Sequence, residues 1–459
     1  MFLISLAIIG VLLITGKFIR SFVPYFQSIF IPTSIIAGLL GLLLGEQVLG
    51  RFFSDNHILA DGLFTEEIVA VWRDMPKVLI TIIFASLFLG KKIPSPKQIW
   101  KLAGPQVSFG QTVAWGQYVL GLLLAIFVLT PFLSLPEMSG ALIEISFQGG
   151  PGTAAGLEQT FNSLGFEQGR DLAVGLATIG VISGMLTGIT IINWGIRKKK
   201  TTVAKSPANM SSYEKKGIYK EDEKPTAGQL TTRTQSIETL TVQFACILLA
   251  IGLGLLLQKG FIVIENATWG AKYNIFIFKH LPLFPLAMVG SVIVQLIENR
   301  LINYSFMNRQ LIMRIQGLAL DLLITSAIAS LALTAIQQHW IAFLLLSFVG
   351  ISWNIFAFIV LAPKMIPSYW FERGVVDLGQ SMGMTTTGLM LLQIVDPEKE
   401  TPSFESFGYK QLLFEPFVGG GFFTAASMPL IYQFNAYSLL IVTSILLVFW
   451  LMIGLFVFK

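Results

Sequence analysis

Ser146-Phe147-Gln148-Gly149-Gly150-Pro151-Gly152-Thr153-Ala154-Ala155-Gly156 interrupts an otherwise apolar part of the chain, and Gly379-Gln380-Ser381-Met382-Gly383-Met384-Thr385-Thr386-Thr387-Gly388 repeats the theme about half a chain later. Such runs are poor continuous helix, because glycine gives up the most backbone freedom on ordering. In lipid every backbone N–H and C=O needs a partner, so unwound chain at membrane depth must be surrounded by protein or line a wet cavity. A matched pair of such breaks, one per half, points to a transport site. A glycine-kinked continuous helix is the plainer account of either break taken alone.

Working outward, the 459 residues are 54% hydrophobic and only 12% charged, about half the charge of an ordinary soluble domain. This places the chain among membrane proteins. Apolar runs at 2–16, 29–49, 76–90, 105–134, 169–196, 237–258, 281–298, 311–336, 340–362, 409–433 and 436–458 predict helices, with the broken elements near 138–162 and 374–395. Pro32, Pro76, Pro105 and Pro282 are expected near helix starts, where a missing N–H costs little. Met1–Thr15 is apolar and is followed by Lys17 and Arg20, the reverse of a cleaved signal peptide, so a retained first crossing is expected.

Charge placement decides the topology. From Arg197 to Lys224 nine Lys/Arg stand against four Asp/Glu, Lys91–Lys101 holds four lysines and no acid, and Arg51–Asp74 holds two arginines against five acids. With basic loops inside, these fit only if the first break is re-entrant from outside. A crossing there would put the lysine loop outside. The loop near Asp396–Lys410 runs against the rule, but acids weigh little in it. The resulting expectation is an all-α polytopic membrane protein of two inverted five-crossing repeats. Each repeat carries a broken, re-entrant helix, and one extra C-terminal crossing follows. The N-terminus lies outside and the C-terminus in the cytoplasm. The domains are a first repeat at 1–196, a basic cytoplasmic linker at 197–235, an inverted repeat at 236–434 and the added helix at 435–459.

Candidate ligands follow from chemistry at depth. An acid at the bilayer centre costs about 2.5–3.5 kcal/mol on insertion scales, which singles out Glu144, Glu158, Asp321 and Glu415. Sodium prefers hard oxygen ligands, so Thr178, Asp321, Gln117, Asn354 and Glu415 form the expected cation set. Interfacial snorkelling is the plain alternative for the acids, and interhelical adhesion, about 0.6 kcal/mol per bond, for Gln117 and Asn354. The expected substrate set is Gln148, Gly149, Gly150, Gly152, Thr153, Gly383, Thr385, Thr386 and Thr387. The small-residue run from Gly175 to Gly188, like Gly419–Gly421 with Thr424, reads as close helix packing. Cys246 is the sole cysteine and the three histidines are scattered, which excludes an internal disulfide and a clustered Cys/His metal site. No basic-aromatic module points to nucleic acid, and no cofactor is expected.

At these residues the chain resembles the glutamate:sodium symporter family. Gly149, Gly150, Gly152 and Thr153 match its Gly-Gly-x-Gly-Thr signature, and Ala177, Thr178 and Gly180 match an Ala-Thr-x-Gly segment. Gly379, Gly383, Thr385 and Thr387 resemble its second loop more loosely, and Pro151 replaces a frequent histidine. The resemblance implies sodium-coupled uptake of glutamate or a similar small carboxylate. It also implies a homodimer whose scaffold holds a sliding, elevator-like substrate domain. The alternatives are a proton- or sodium-coupled carrier of another organic anion, with protons using Asp321 or Glu415, and an ion channel. An intramembrane enzyme lacks a histidine at depth, and a pump lacks a nucleotide-binding loop.

Overall fold

A computed structural model describes the chain except residues 29–30, 54–58, 60–61, 92–95, 204–212, 214–215, 217, 274–275, 302–305, 397–399 and 459; the side chains of residues 28, 96, 98, 99, 101, 280, 301, 335, 386 and 412 are also outside the described atoms. Parts of the charged loops counted above therefore lie outside it, Lys92, Glu398 and Lys399 among them. The described regular structure is helical, apart from an isolated bridge between Gly45 and Gly62. The first half holds α1 (Phe2–Phe22), α2 (Thr33–Leu44), α3 (Glu66–Ala85) and α4 (Pro96–Leu124), which continues through a π turn to Leu133. The first broken element follows, with α5 (Gly150–Gly156) and α6 (Glu158–Ser163), and then α7 (Gly169–Arg197). The second half holds α8 (Thr239–Ala267), α9 (Leu283–Leu301), α10 (Arg309–Ala329) and α11 (Trp340–Phe356), again prolonged through a π turn, to Met365. Then come α12 (Trp370–Ser381), α13 (Thr385–Val395), α14 (Ser403–Phe414) and α15 (Phe422–Met452).

Eight of the described helices are long and apolar enough to cross a membrane. Two proline expectations are corrected. Pro76 and Pro105 lie inside α3 and α4, not at their starts. α3 begins ten residues earlier than Pro76, where Glu66 and Glu67 occupy the first turn and suit the positive end of the helix dipole. Tertiary packing outweighs the proline defect. Trp72 is fully buried and donates from Nε1 to the Ser5 carbonyl at 3.1 Å, tying α3 to α1. At the far end the Arg309 guanidinium donates to the Ser86 and Leu89 carbonyls at 2.6 and 3.0 Å, supplying partners for carbonyls just past α3. A crossing expected over 409–433 is broken in two by residues 415–421. α15 in turn reverses at Asn435, whose φ of 66° and ψ of 165° are not helical. Glu137 caps that reversal by accepting from Ala436 N at 2.9 Å.

The helices fall into two packed groups. In one, α1 packs on α2, α2 and α3 on α10, and α9 on both α3 and α8. In the other, α4 carries α11, α14 and α15, while α7 carries α5, α12 and α13. Each half contributes three helices to the first group, and each contributes one broken element to the second. The groups meet at α5, against α3 and α10, and at the start of α7, where Arg170 donates to the Ser330 carbonyl at 3.1 Å and to the Ser330 hydroxyl at 2.8 Å, just past the end of α10. The linker is anchored at several points: Thr202 N donates to Glu372 at 2.6 Å, Thr231 to the Phe306 carbonyl at 2.7 Å, and Lys17 to the Lys216 carbonyl at 3.1 Å.

Candidate functional site

Gly150 opens α5 with a φ of +74°, backbone that residues with a Cβ seldom adopt. α12 ends at Ser381 and α13 begins at Thr385, leaving Met382–Met384 between them. α12 and α13 lie side by side: a Cβ built on Gly379 would stand 2.7 Å from Gly388 Cα. The two breaks touch. A Cβ on Gly150 would stand 2.5 Å from the Gly383 carbonyl oxygen. Behind them runs the small-residue face of α7, where a Cβ on Gly180 would stand 2.5 Å from the Met382 carbonyl oxygen and 3.0 Å from the Phe147 ring. Gly152 faces Ile80 of α3 and Leu323 of α10, and Thr153 is buried against Gly420.

Around this contact lie buried polar atoms with no hydrogen bond to protein: both amide atoms of Gln148, and the hydroxyls of Ser146, Ser381 and Thr387. Buried polar groups are nearly always partnered, so these are available to a ligand. Gln117 is already engaged, donating to the Ser381 carbonyl at 2.8 Å and to Asn354 Oδ1 at 3.3 Å; Asn354 donates in turn to the Gly350 carbonyl at 2.8 Å. Gln117 thus satisfies a carbonyl freed at the end of α12, while its own Oε1 is buried without a partner. Thr385 donates to Glu415 at 3.4 Å, and Gln411 donates to both, at 3.1 and 2.7 Å. Lys91, past the end of α3, is pushed down to about 8 by burial and then by the Arg309 charge, with Glu415 pulling it back up.

Two expected cation ligands stand differently. Thr178 lies on α7, but its hydroxyl donates to the Val174 carbonyl of its own helix at 2.8 Å. Asp321 lies mid-way along α10, but it is exposed rather than buried. Glu144 is fully buried and answers three donors: Tyr118 Oη at 2.6 Å, Thr424 Oγ1 at 2.8 Å and Gly419 N at 2.9 Å. It ties the first break to α4 and to the glycine loop ahead of α15. Glu158 lies 3.8 Å from Arg170 at the first turn of α7.

Sequence reasoning missed one cluster. Lys410 and Asp377 form a fully buried ion pair at 2.8 Å, with Gln380 Oε1 also accepting from Lys410 at 2.5 Å. Reading Lys410 as a loop charge hid it. The signal available was Asp377 and Gln380, three residues apart on one face of a helix that ends at a break.

A family model described as sodium/glutamate symporter matches residues 2–397, which hold seven of the eight candidate spans found among the described residues. The chain belongs to the sodium/glutamate symporter family. No curated protein matches it. The family is one of transporters, whose cargo is sodium and glutamate, and with its apolar helices the symporter is a multi-pass membrane protein. The match covers both breaks and Asp377, and stops short of Lys410, Glu415 and the loop Gly419–Gly421.

Proposed function

We propose that the symporter carries glutamate, or a similar small carboxylate, together with sodium through a pocket formed where its two breaks meet. The observation that carries this reading is the contact of Gly150 with Gly383, ringed by the unpartnered groups of Gln148, Ser146, Ser381 and Thr387. The N-terminus of α13, with Thr385, Thr386 and Thr387, offers free N–H groups and the positive dipole end to a carboxylate. With them Gln148, Gly149, Gly150, Gly152, Thr153 and Gly383 make the substrate set. Carbonyls at the end of α12 suit a cation, with Gln117, Asn354, Glu415 and Thr178 as outer oxygens. Asp321, on the opposite group of helices, is a ligand only in a different position of the two groups. Sodium moving inward gains about 2.3 kcal/mol per 100 mV, enough to draw an anion with it.

Both elements are proposed to be re-entrant, from opposite faces, within inverted repeats at 1–196 and 236–434, joined by the linker 197–235 and followed by the helix 435–459. Packing supports this. The first element runs from Gly140, beside Leu122 of α4, to Phe147 at the middle of α7, and back to Glu158 beside Arg170 at the start of α7. The second starts at Phe371, beside Gly195 at the end of α7, reaches Gly180 and Gly184 through Met382, and turns back to Gly188 through Leu391. With basic loops inside, this reading has the N-terminus outside and the C-terminus in the cytoplasm. The group of α1–α3 and α8–α10 serves as the scaffold of a homodimer, and the other group slides against it as an elevator. Purified protein in liposomes with an inward sodium gradient should accumulate labelled glutamate, and replacement of sodium by choline should abolish uptake. Full uptake in choline refutes sodium coupling.

A further inference from the structure

Lys410 has no role in the pocket just described, yet it is among the most elaborately housed side chains in the molecule. It and Asp377 are both wholly inaccessible. Its ammonium meets one carboxylate oxygen, the Gln380 amide oxygen and the face of Phe414, whose ring centroid is 3.9 Å away; Phe407 stands 5.4 Å off. The stem reaches this place past Gly110 of α4, where a Cβ would stand 2.6 Å from Lys410 Cε. Asp377 and Gln380 belong to the last turns of α12, whose terminal carbonyls carry the negative end of the helix dipole. Carboxylate, amide oxygen, helix C-terminus and aromatic face are all groups that attract a small monovalent cation.

We propose that Lys410 is a tethered cation. Its ammonium fills, permanently and from within the chain, a monovalent-cation position at the end of α12, next to the second break. A plain strut between α12 and α14 would not require this chemistry. A buried ion pair is costly to desolvate and is often replaceable by apolar side chains. With the lysine shortened, the same oxygens and ring form a site for free ammonium or sodium. Resting on the sodium-coupled reading, the symporter then uses one coupling ion fewer per substrate than its Lys410→Ala variant.

The test uses full-length purified protein. In choline chloride Lys410→Ala should melt below wild type. Ammonium or methylammonium chloride should restore much of the loss, and sodium chloride part of it. Wild type should not respond to ammonium, and neither should Asp377→Asn/Lys410→Ala, which lacks the carboxylate. Lys410→Ser serves the same comparison if Lys410→Ala does not accumulate. In liposomes the sodium dependence of Lys410→Ala uptake should steepen by one ion. No cation-specific recovery in the single variants, or equal recovery in the double variant, overturns the tethered cation. The melting arm is independent of transport: wild-type uptake that persists in choline defeats the coupling mechanism and leaves the cation site standing.

Discussion

Glu144 shows what a single carboxylate does in this interior. Ionised, it accepts from a phenol, a hydroxyl and a backbone N–H at once. Each bond to a charged group is stronger than a neutral one. Glu144→Gln keeps an oxygen for Gly419 N and Thr424 but removes the charge and sets an NH₂ against the Tyr118 hydroxyl, which must turn from donor to acceptor. It should destabilise the protein by about 1–3 kcal/mol, read as a lower melting temperature in detergent, with the sodium dependence of uptake unchanged. A shifted sodium dependence would make Glu144 a cation ligand instead. The sequence shows that an acid lies at this depth, not what it bonds. Its partners come from positions 118, 419 and 424, and no local pattern links them. For the same reason Asp321, flanked by leucines on both sides, looked buried while its side of α10 is open. A sequence run does not say which side of a helix another helix covers.

At the scale of elements, the breaks were legible because glycine is a backbone statement. Gly150 does take the left-handed backbone its surroundings suggest, and Gly383 packs too closely against Val181 for a side chain to enter freely. Less legible were the prolines and the last crossings. Pro76 and Pro105 are held inside helices by tertiary packing, and residues 415–421 split the crossing expected over 409–433, whereas the reversal at Asn435 falls at the boundary expected between 433 and 436. The contact between breaks can be separated from mere backbone strain, because Gly165 has nearly the same φ, +75°, with no atom within 4 Å of a built Cβ. Alanine at either position bears the left-handed penalty, about 1–2 kcal/mol. Only Gly150→Ala also presses on the Gly383 carbonyl. Gly150→Ala should therefore lose uptake while inserting normally, and Gly165→Ala should keep it. Equal uptake by the two would detach the first break from the pocket.

For the whole molecule the question is whether the two helix groups move past one another. Their boundary is drawn through α5, whose glycines let it lie close on α3: a Cβ on Gly156 would stand 3.3 Å from Ile80 Cβ. That spacing is slightly below the 3.5–4.5 Å usual across a disulfide, so Ile80→Cys/Gly156→Cys can be bridged with little shift, and the shorter cysteine at 80 relieves the crowding. Cys246 is the only native cysteine and is buried, so a Cys246→Ala background isolates the new pair. An elevator requires α5 to slide along α3. The oxidised variant should then bind glutamate but not transport it, and reductant should restore uptake. A carrier that works by small gate movements around a fixed α5–α3 contact would transport equally well oxidised, and that result would remove the sliding mechanism while leaving the pocket in place.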